Sequence, residues 1–248
     1  MAWFGVITLF PEILESLNYG VTGRALKERL ISVNSFNPRD FTQNKHKTVD
    51  DRPYGGGPGM VMLPDPLQSA IKTAKIAAGE QKKATVIHLS PQGKLFNQEA
   101  AKELLKKENL ILIAGRYEGI DQRLIDLEVD EEWSIGDFVL SGGELAAMVM
   151  IDTITRLIPG VLGHAESASK DTLSDGLLKH DQYTRPESFK GLQVPEVLLN
   201  GNHKDIDRWR LKQSLGKTWL KRPDLLSKMQ LNKLQQELLL EFIQDYLD

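Results

Sequence analysis

The chain of 248 residues is 41% hydrophobic and 26% charged, enough to build a sizeable buried core in one or two domains and too apolar for a disordered segment. It contains no cysteine, which excludes disulfides, thiolate metal sites and a cysteine nucleophile, so any catalysis must rest on carboxylates, histidine, lysine, hydroxyls or arginine. The formal net charge of −3 argues against indiscriminate coating of nucleic acid, and no window approaches the ~18 to 20 apolar residues of a membrane span. With no basic flank before the apolar run at the N-terminus, the sequence predicts a soluble, cytoplasmic protein with no membrane partner.

The apolar run from Phe4 to Phe10 predicts a buried first strand, ended by Pro11 and followed by a helix from about Glu12. Thr22 is the expected N-cap of a second helical stretch through Leu30, and 31–36 reads as another strand. A long polar loop, 44–59, ends in Asp50-Asp51-Arg52-Pro53-Tyr54-Gly55-Gly56-Gly57-Pro58-Gly59; a loop of this length is usually functional or disordered. From Met60 strands and helices alternate: strand to Leu63, helix 66–78, strand 84–89, helix 98–107, strand 110–114. Continuously apolar strands separated by helices predict a parallel α/β sheet. The last two strands run into Ser90-Pro91-Gln92-Gly93 and into Gly115 to Asp121, and in such sheets ligands bind beyond the carboxyl ends of the strands.

Ser134 to Ala147 joins a three-glycine loop to a largely apolar helix, predicted over 144–157. Read alone, the loop is either a ligand wall or a glycine turn capping a helix; the strand-end loops after Leu89 and Ala114 favour the ligand wall. A polar stretch, 163–176, reads as a mobile linker. After it, 205–215, 224–229 and 231–247 are predicted helical.

Two nucleotide motifs fail. Gly216-Lys217-Thr218 resembles the end of a P-loop, but Leu211 stands where its first glycine belongs, so the tripeptide reads as a helix C-cap. Gly55 to Gly59 has Met60 in place of the third glycine of a dinucleotide fingerprint and no apolar strand before it. The five histidines, His46, His88, His164, His180 and His203, show no ligand spacing, so no metal site is assigned, and His88 reads as a core residue of its strand. Between Lys204 and Arg222, however, seven basic residues face only Asp205 and Asp207, interleaved with Trp209 and Trp219. This segment is either an RNA-binding surface with stacking aromatics or a solvated helix face whose tryptophans are core.

The runs DDRPYGGGPGM (50–60), LSPQG (89–93), GRYEGI (115–120), SIGDFVLSGGEL (134–145), IPGVLGH (158–164), YTRPE (183–187) and RWRLKQSLG (208–216) together resemble the bacterial tRNA (guanine-N1)-methyltransferases, the TrmD family of SPOUT methyltransferases. The resemblance runs in order from Ile7 to about Pro223. It implies an α/β fold with a parallel sheet and a deep C-terminal trefoil knot over 1–162, the 163–176 linker, and a small all-helical tRNA-binding domain over 177–248. It also implies a homodimer with active sites at the subunit interface, and S-adenosyl-L-methionine bound in the knot.

By motif position the resemblance assigns cofactor contacts to Leu89, Ser90, Pro91, Gly115, Tyr117, Glu118, Gly119, Ser134, Ile135, Gly136, Phe138, Val139, Leu140, Gly142 and Gly143. It assigns RNA contacts to Arg185, Lys204, Arg208, Arg210, Lys212 and Lys217. Methylating guanine N1 requires a carboxylate base, a cation near O6 and accurate positioning. The resemblance gives these roles to Asp171 and Arg156, with Glu118 facing the sulfonium or a Mg²⁺ ion, on which the family depends. Read without it, Asp171 could cap the turn at Thr172 and Arg156 could serve the helix dipole. The implied substrate is the anticodon stem-loop of tRNA, methylated on the guanosine at position 37 when another guanosine precedes it. Phe138 stands where many members have tyrosine, and Ala146 where proline is frequent.

Overall fold

A computed structural model describes residues 1–79, 83–163 and 171–247. The chain divides into two compact units, Met1–Ala165 and Glu166–Asp248. The expected linker falls, for 164–170, outside the described residues.

The first unit contains, in order, β1 (Ala2–Ile7), a 3-10 stretch (Pro11–Asn18), α1 (Gly20–Lys27), β2 (Ile31–Phe36), a short 3-10 turn (Pro38–Phe41), β3 (Asp50–Asp51), β4 (Val61–Met62) and α2 (Pro64–Ala77). Then come β5 (Thr85–Leu95), α3 (Gln98–Leu105), β6 (Asn109–Ile113), α4 (Gln122–Glu128), β7 (Glu131–Ser134) and α5 (Glu144–Thr155). Five strands form one sheet in the order β2-β1-β6-β5-β7, and every pairing in it is parallel. The central strands β1 and β6 and the first half of β5 are buried on both faces, which is why they read as largely apolar runs. Side chains alternate between the faces. Phe4, Val6, Leu110 and Leu112 pack with Leu104, Met150, Ile151 and Ile154 on one side; Trp3, Ile7, Ile111 and Ile113 pack with Leu67, Ile71 and Leu124 on the other. Each such aliphatic side chain contributes on the order of 1.5–3 kcal/mol.

Several local expectations are corrected. The segment after Met60 does not join the main sheet: β4 pairs antiparallel with β3, so the end of the long polar loop folds back on itself. Thr22 is not a cap, because α1 begins at Gly20 and the Thr22 hydroxyl donates back to the Tyr19 carbonyl at 3.1 Å. The third strand does not stop at Leu89. It bulges, so that both Leu89 and Lys94 lie opposite Trp133 before Leu95 pairs with Ser134. Edge strand β7 has no separate signal in the sequence, since Glu131-Glu132-Trp133-Ser134 is short and largely polar.

The second unit holds β8 (Ser188–Phe189), β9 (Leu192–Gln193), a 3-10 turn (Glu196–Leu198), α6 (His203–Lys221), α7 (Pro223–Leu226) and α8 (Lys233–Leu247). The expectation of an all-helical domain is corrected here, because β8 and β9 form an antiparallel pair. Its two-residue turn has positive φ at both Lys190 (51°) and Gly191 (86°), the geometry that matches strand twist. Leu177, Leu215 and Leu238 are its buried core. Gly216 is not a C-cap. It lies inside α6, where a Cβ would come within 2.2 Å of the Phe242 ring, so glycine there lets α8 approach α6.

Candidate active site

In a parallel sheet all strands point the same way, so the excursion within β5 between Leu89 and Lys94 and the loops after β6 and β7 emerge on one edge. They enclose a cavity of about 500 Å³. Its walls include all of Leu89 to Pro91, Gly115, Tyr117 to Gly119, Ser134 to Gly136, Phe138 to Leu140, Gly142 and Gly143, the fifteen positions expected to contact a cofactor. Sequence reasoning missed Arg116, Glu132, Trp133, His88 and Gln122, which also line it.

Glycine is required where backbones cross. A Cβ on Gly143 would sit 2.7 Å from Ala114 Cα and 3.1 Å from Gly115 N, and the Gly143 amide donates to the Gly115 carbonyl at 3.0 Å. A Cβ on Gly93 would come within 2.4 Å of Trp133 N. Tyr117 is held at φ 61°, a left-handed conformation that costs a bulky residue on the order of 1–3 kcal/mol and persists only where its surroundings enforce it. Tyr117 is 47% exposed, Phe138 52% and Val139 87%, so the mouth is lined with unburied apolar residues.

The polar loop 50–62 docks here as well. The Glu118 amide donates to the Met60 carbonyl at 2.9 Å and the Met62 amide to the Gly119 carbonyl at 3.0 Å. The Glu118 side chain lies against Gly59, where a Cβ would come within 2.5 Å of Oε1. His88 is buried as expected of a core histidine, and its Nδ1 lies 2.8 Å from Glu132 Oε2. Beneath the loops, Arg116 pairs with the buried Glu144, Nη2 to Oε2 at 3.0 Å. Just outside the cavity, burial would push the Glu131 carboxyl up, but hydrogen bonds from Lys107 and the Trp133 indole overcome it and hold the group below the ordinary glutamate range.

Not every expected residue gathers here. Arg156 is the C-cap of α5, whose first turn begins at the cavity. Ala146 is the last residue of the helix at the cavity wall, so Arg156, ten residues on, lies about 15 Å farther along the axis. Asp171 belongs to the second unit, where Lys179 Nζ donates to its carboxylate at 3.3 Å. Among the described residues no three histidine, aspartate or glutamate side chains cluster as metal ligands.

In the second unit the basic helix is less bare than its own sequence implies. Arg208 pairs with Glu241, Lys212 with Asp245 at 2.6 Å, Lys217 with Asp181 and Arg210 with Asp207 at 3.5 Å. Three of these acids lie outside the 204–222 window. Lys204 and Arg185 are exposed. Trp209 stands 6.1 Å from the His180 ring and 6.3 Å from Tyr183, half-buried rather than core.

A parallel sheet whose carboxyl-end loops close on one deep cavity, with carboxylates in its wall, defines an α/β enzyme that takes a small ligand at the strand ends. The model of the tRNA (Guanine-1)-methyltransferase TrmD family matches residues 2–228. The chain is 60% identical over 246 residues to the tRNA (guanine-N(1)-)-methyltransferase of Photorhabdus laumondii, covering 99% of this chain and 98% of the relative. It is 60% identical to that of Cronobacter sakazakii (97% and 93% covered) and 59% identical to that of Photobacterium profundum (98% of each). The chain belongs to the TrmD family of tRNA (guanine-N1)-methyltransferases.

Proposed function

We propose that this enzyme transfers a methyl group from S-adenosyl-L-methionine to N1 of the guanosine at position 37 of tRNA, giving 1-methylguanosine. The observation that carries the reading is the single cavity lined by every position expected to hold the donor. Its chemistry fits: Leu89, Ile135 and Leu140 offer apolar surface to an adenine, glycine-rich backbone can approach a ribose, and Glu118 and Glu132 place negative charge in the wall for a sulfonium. When bound, the donor supplies a methyl on positively charged sulfur. Asp171 takes the N1 proton, Arg156 stabilises the charge developing on O6, and the loops exclude water and hold the methyl in line. The target base must leave its stack, at roughly a few kcal/mol.

We assign no resident metal. A Mg²⁺ ion that keeps most of its waters is held by one or two carboxylates and substrate groups, and Glu118 in the cavity wall is the carboxylate expected to meet one.

The knot and the dimer belong to the same reading. The antiparallel bridge of Arg116 with Gly142 supports a 134–143 segment drawn tightly against the 115–119 loop, as a trefoil requires. The exposed apolar side chains Leu145 and Val149 on α5, 52% and 44% accessible, support burial of that face by a second copy. The distance of Arg156 from its own cavity supports a partner site. The domains we propose are 1–162 for methyl transfer and 177–248 for the anticodon stem-loop, and the enzyme acts in the cytoplasm.

Incorporation of labelled methyl into unmodified tRNA with guanosine at position 37, with the product nucleoside mapped, tests the reading. Methylation of another base atom would make this a SPOUT enzyme of different specificity, and binding without transfer would make it a non-catalytic RNA-binding protein. Gly143→Ala is expected to lower donor affinity at least tenfold by calorimetry, because its Cβ overlaps fixed backbone and overpacking costs about 1–3 kcal/mol. Unchanged affinity would remove that loop from the site. Arg208→Ala should weaken tRNA binding and lower the slope of log K against log salt by about one phosphate contact. The ion pair it breaks is exposed and worth only ~0–1 kcal/mol, so loss of fold does not confound the measurement.

A further inference from the structure

Glu144 lies in the first turn of α5 and is 1% exposed, yet it does not line the cavity. Arg116 does line it, as do Glu118 and Glu132. The guanidinium and the buried carboxylate form a closed unit: Arg116 Nε lies 3.2 and 3.1 Å from the two Glu144 oxygens, and Thr8 Oγ1 donates to Oε1 at 2.8 Å. The Phe10 ring covers the guanidinium face, its centroid 4.5 Å from Cζ, and Arg116 Nη1 donates to the Ser141 carbonyl at 3.3 Å. The segment 134–143 rests directly on this arginine, since a Cβ on Gly142 would come within 2.2 Å of Arg116 Nε.

An arginine does not deprotonate in a protein, so its charge in a cavity wall must be cancelled where it stands. We propose that Glu144 is a positioning residue for methyl transfer: by binding Arg116 it fixes two cavity loops to the end of β1 and cancels the one cationic wall residue, leaving a site that selects a cation. This rests on the reading that the cavity binds S-adenosyl-L-methionine. The donor carries a fixed positive charge on sulfur, whereas the product, S-adenosylhomocysteine, is a neutral thioether. A purely structural defect weakens both alike; an uncompensated Arg116 repels only the donor.

The test is calorimetric titration of the full chain with each ligand separately. In Glu144→Gln the Kd for S-adenosylmethionine should rise roughly three- to tenfold more than the Kd for S-adenosylhomocysteine, the scale expected for unit charges about 3–6 Å apart at the dielectric of bulk water, to which the cavity is open. The double variant Arg116→Gln with Glu144→Gln, which removes both charges, should return the ratio of the two Kd values to that of the unaltered protein. Equal weakening in Glu144→Gln, or a skew that persists in the double variant, overturns the proposal. If Glu144→Gln does not fold, Arg116→Lys still tests it. The charge is kept and the fork lost, so both ligands should weaken together, and unchanged affinities would show that the fork positions nothing. Failure of the unaltered protein to bind either ligand would instead overturn the donor-site reading itself.

Discussion

Replacing Asp171 with alanine is expected to lower methyl transfer by ~10²- to 10⁴-fold, the range spanned by a positioned general base. Guanine N1 does not lose its proton at neutral pH, so a donor poised in line still cannot react without an acceptor. The carboxylate now accepts from Lys179 Nζ at 3.3 Å. That lysine must yield as the base engages, so Lys179→Met should leave transfer intact or raise it. Single-turnover rates measure the loss, and calorimetry should find S-adenosylmethionine affinity within about twofold of normal. If Asp171→Ala instead loses donor affinity while keeping its single-turnover rate, Asp171 is a ligand or structural residue and the base lies elsewhere.

Arg156→Ala should cost ~10²- to 10³-fold, the loss typical of removing one donor to a developing oxyanion. The geometry adds a sharper expectation. Arg156 ends α5 while the cavity opens at the other end of the same helix, whose Ala146 lines it ten residues away. An arginine side chain is shorter than that, so on the proposed reading Arg156 is expected to serve the site of a second protomer. Mixing Arg156→Ala, slowed in transfer, with Gly143→Ala, weakened in donor binding, should therefore raise activity above that of either variant alone, because the mixed dimer has one site with an intact cavity and an intact arginine. Absence of any restoration after subunit exchange would place Arg156 in its own protomer's chemistry, or outside it.

The centre of the sheet was legible because its strands are buried on both faces and so appear as largely apolar runs; 86–89 and 110–113 stand out for that reason. β7 was not, since its contribution is one tryptophan and a ladder of backbone bonds. The cavity loops could be read from glycine placement, as at Gly142 and Gly143, because close backbone contact leaves a compositional mark. Arg116 and Glu144 left none. They are 28 residues apart, and nothing local in either neighbourhood announces that their charges cancel. The charge of the basic helix was misjudged for the same reason: Glu241 and Asp245 meet it only through the packing of α8 on α6. Pairings set by tertiary contact are invisible to a window along the chain.

The bulge in β5 has a consequence for how such a site can change. Because Leu89 and Lys94 share Trp133 as their partner, ladder register is reset once the chain has passed the excursion between them. Residues inserted or deleted near Pro91 and Gln92 would reshape the cavity wall without shifting the buried 86–89 segment before them or the Leu95–Ser134 pairing after them. Only Gly93, pressed against the Trp133 amide, is tied to its place. Loop length is thereby uncoupled from core pairing, giving this wall a freedom to vary that the glycine-locked 142–143 wall lacks.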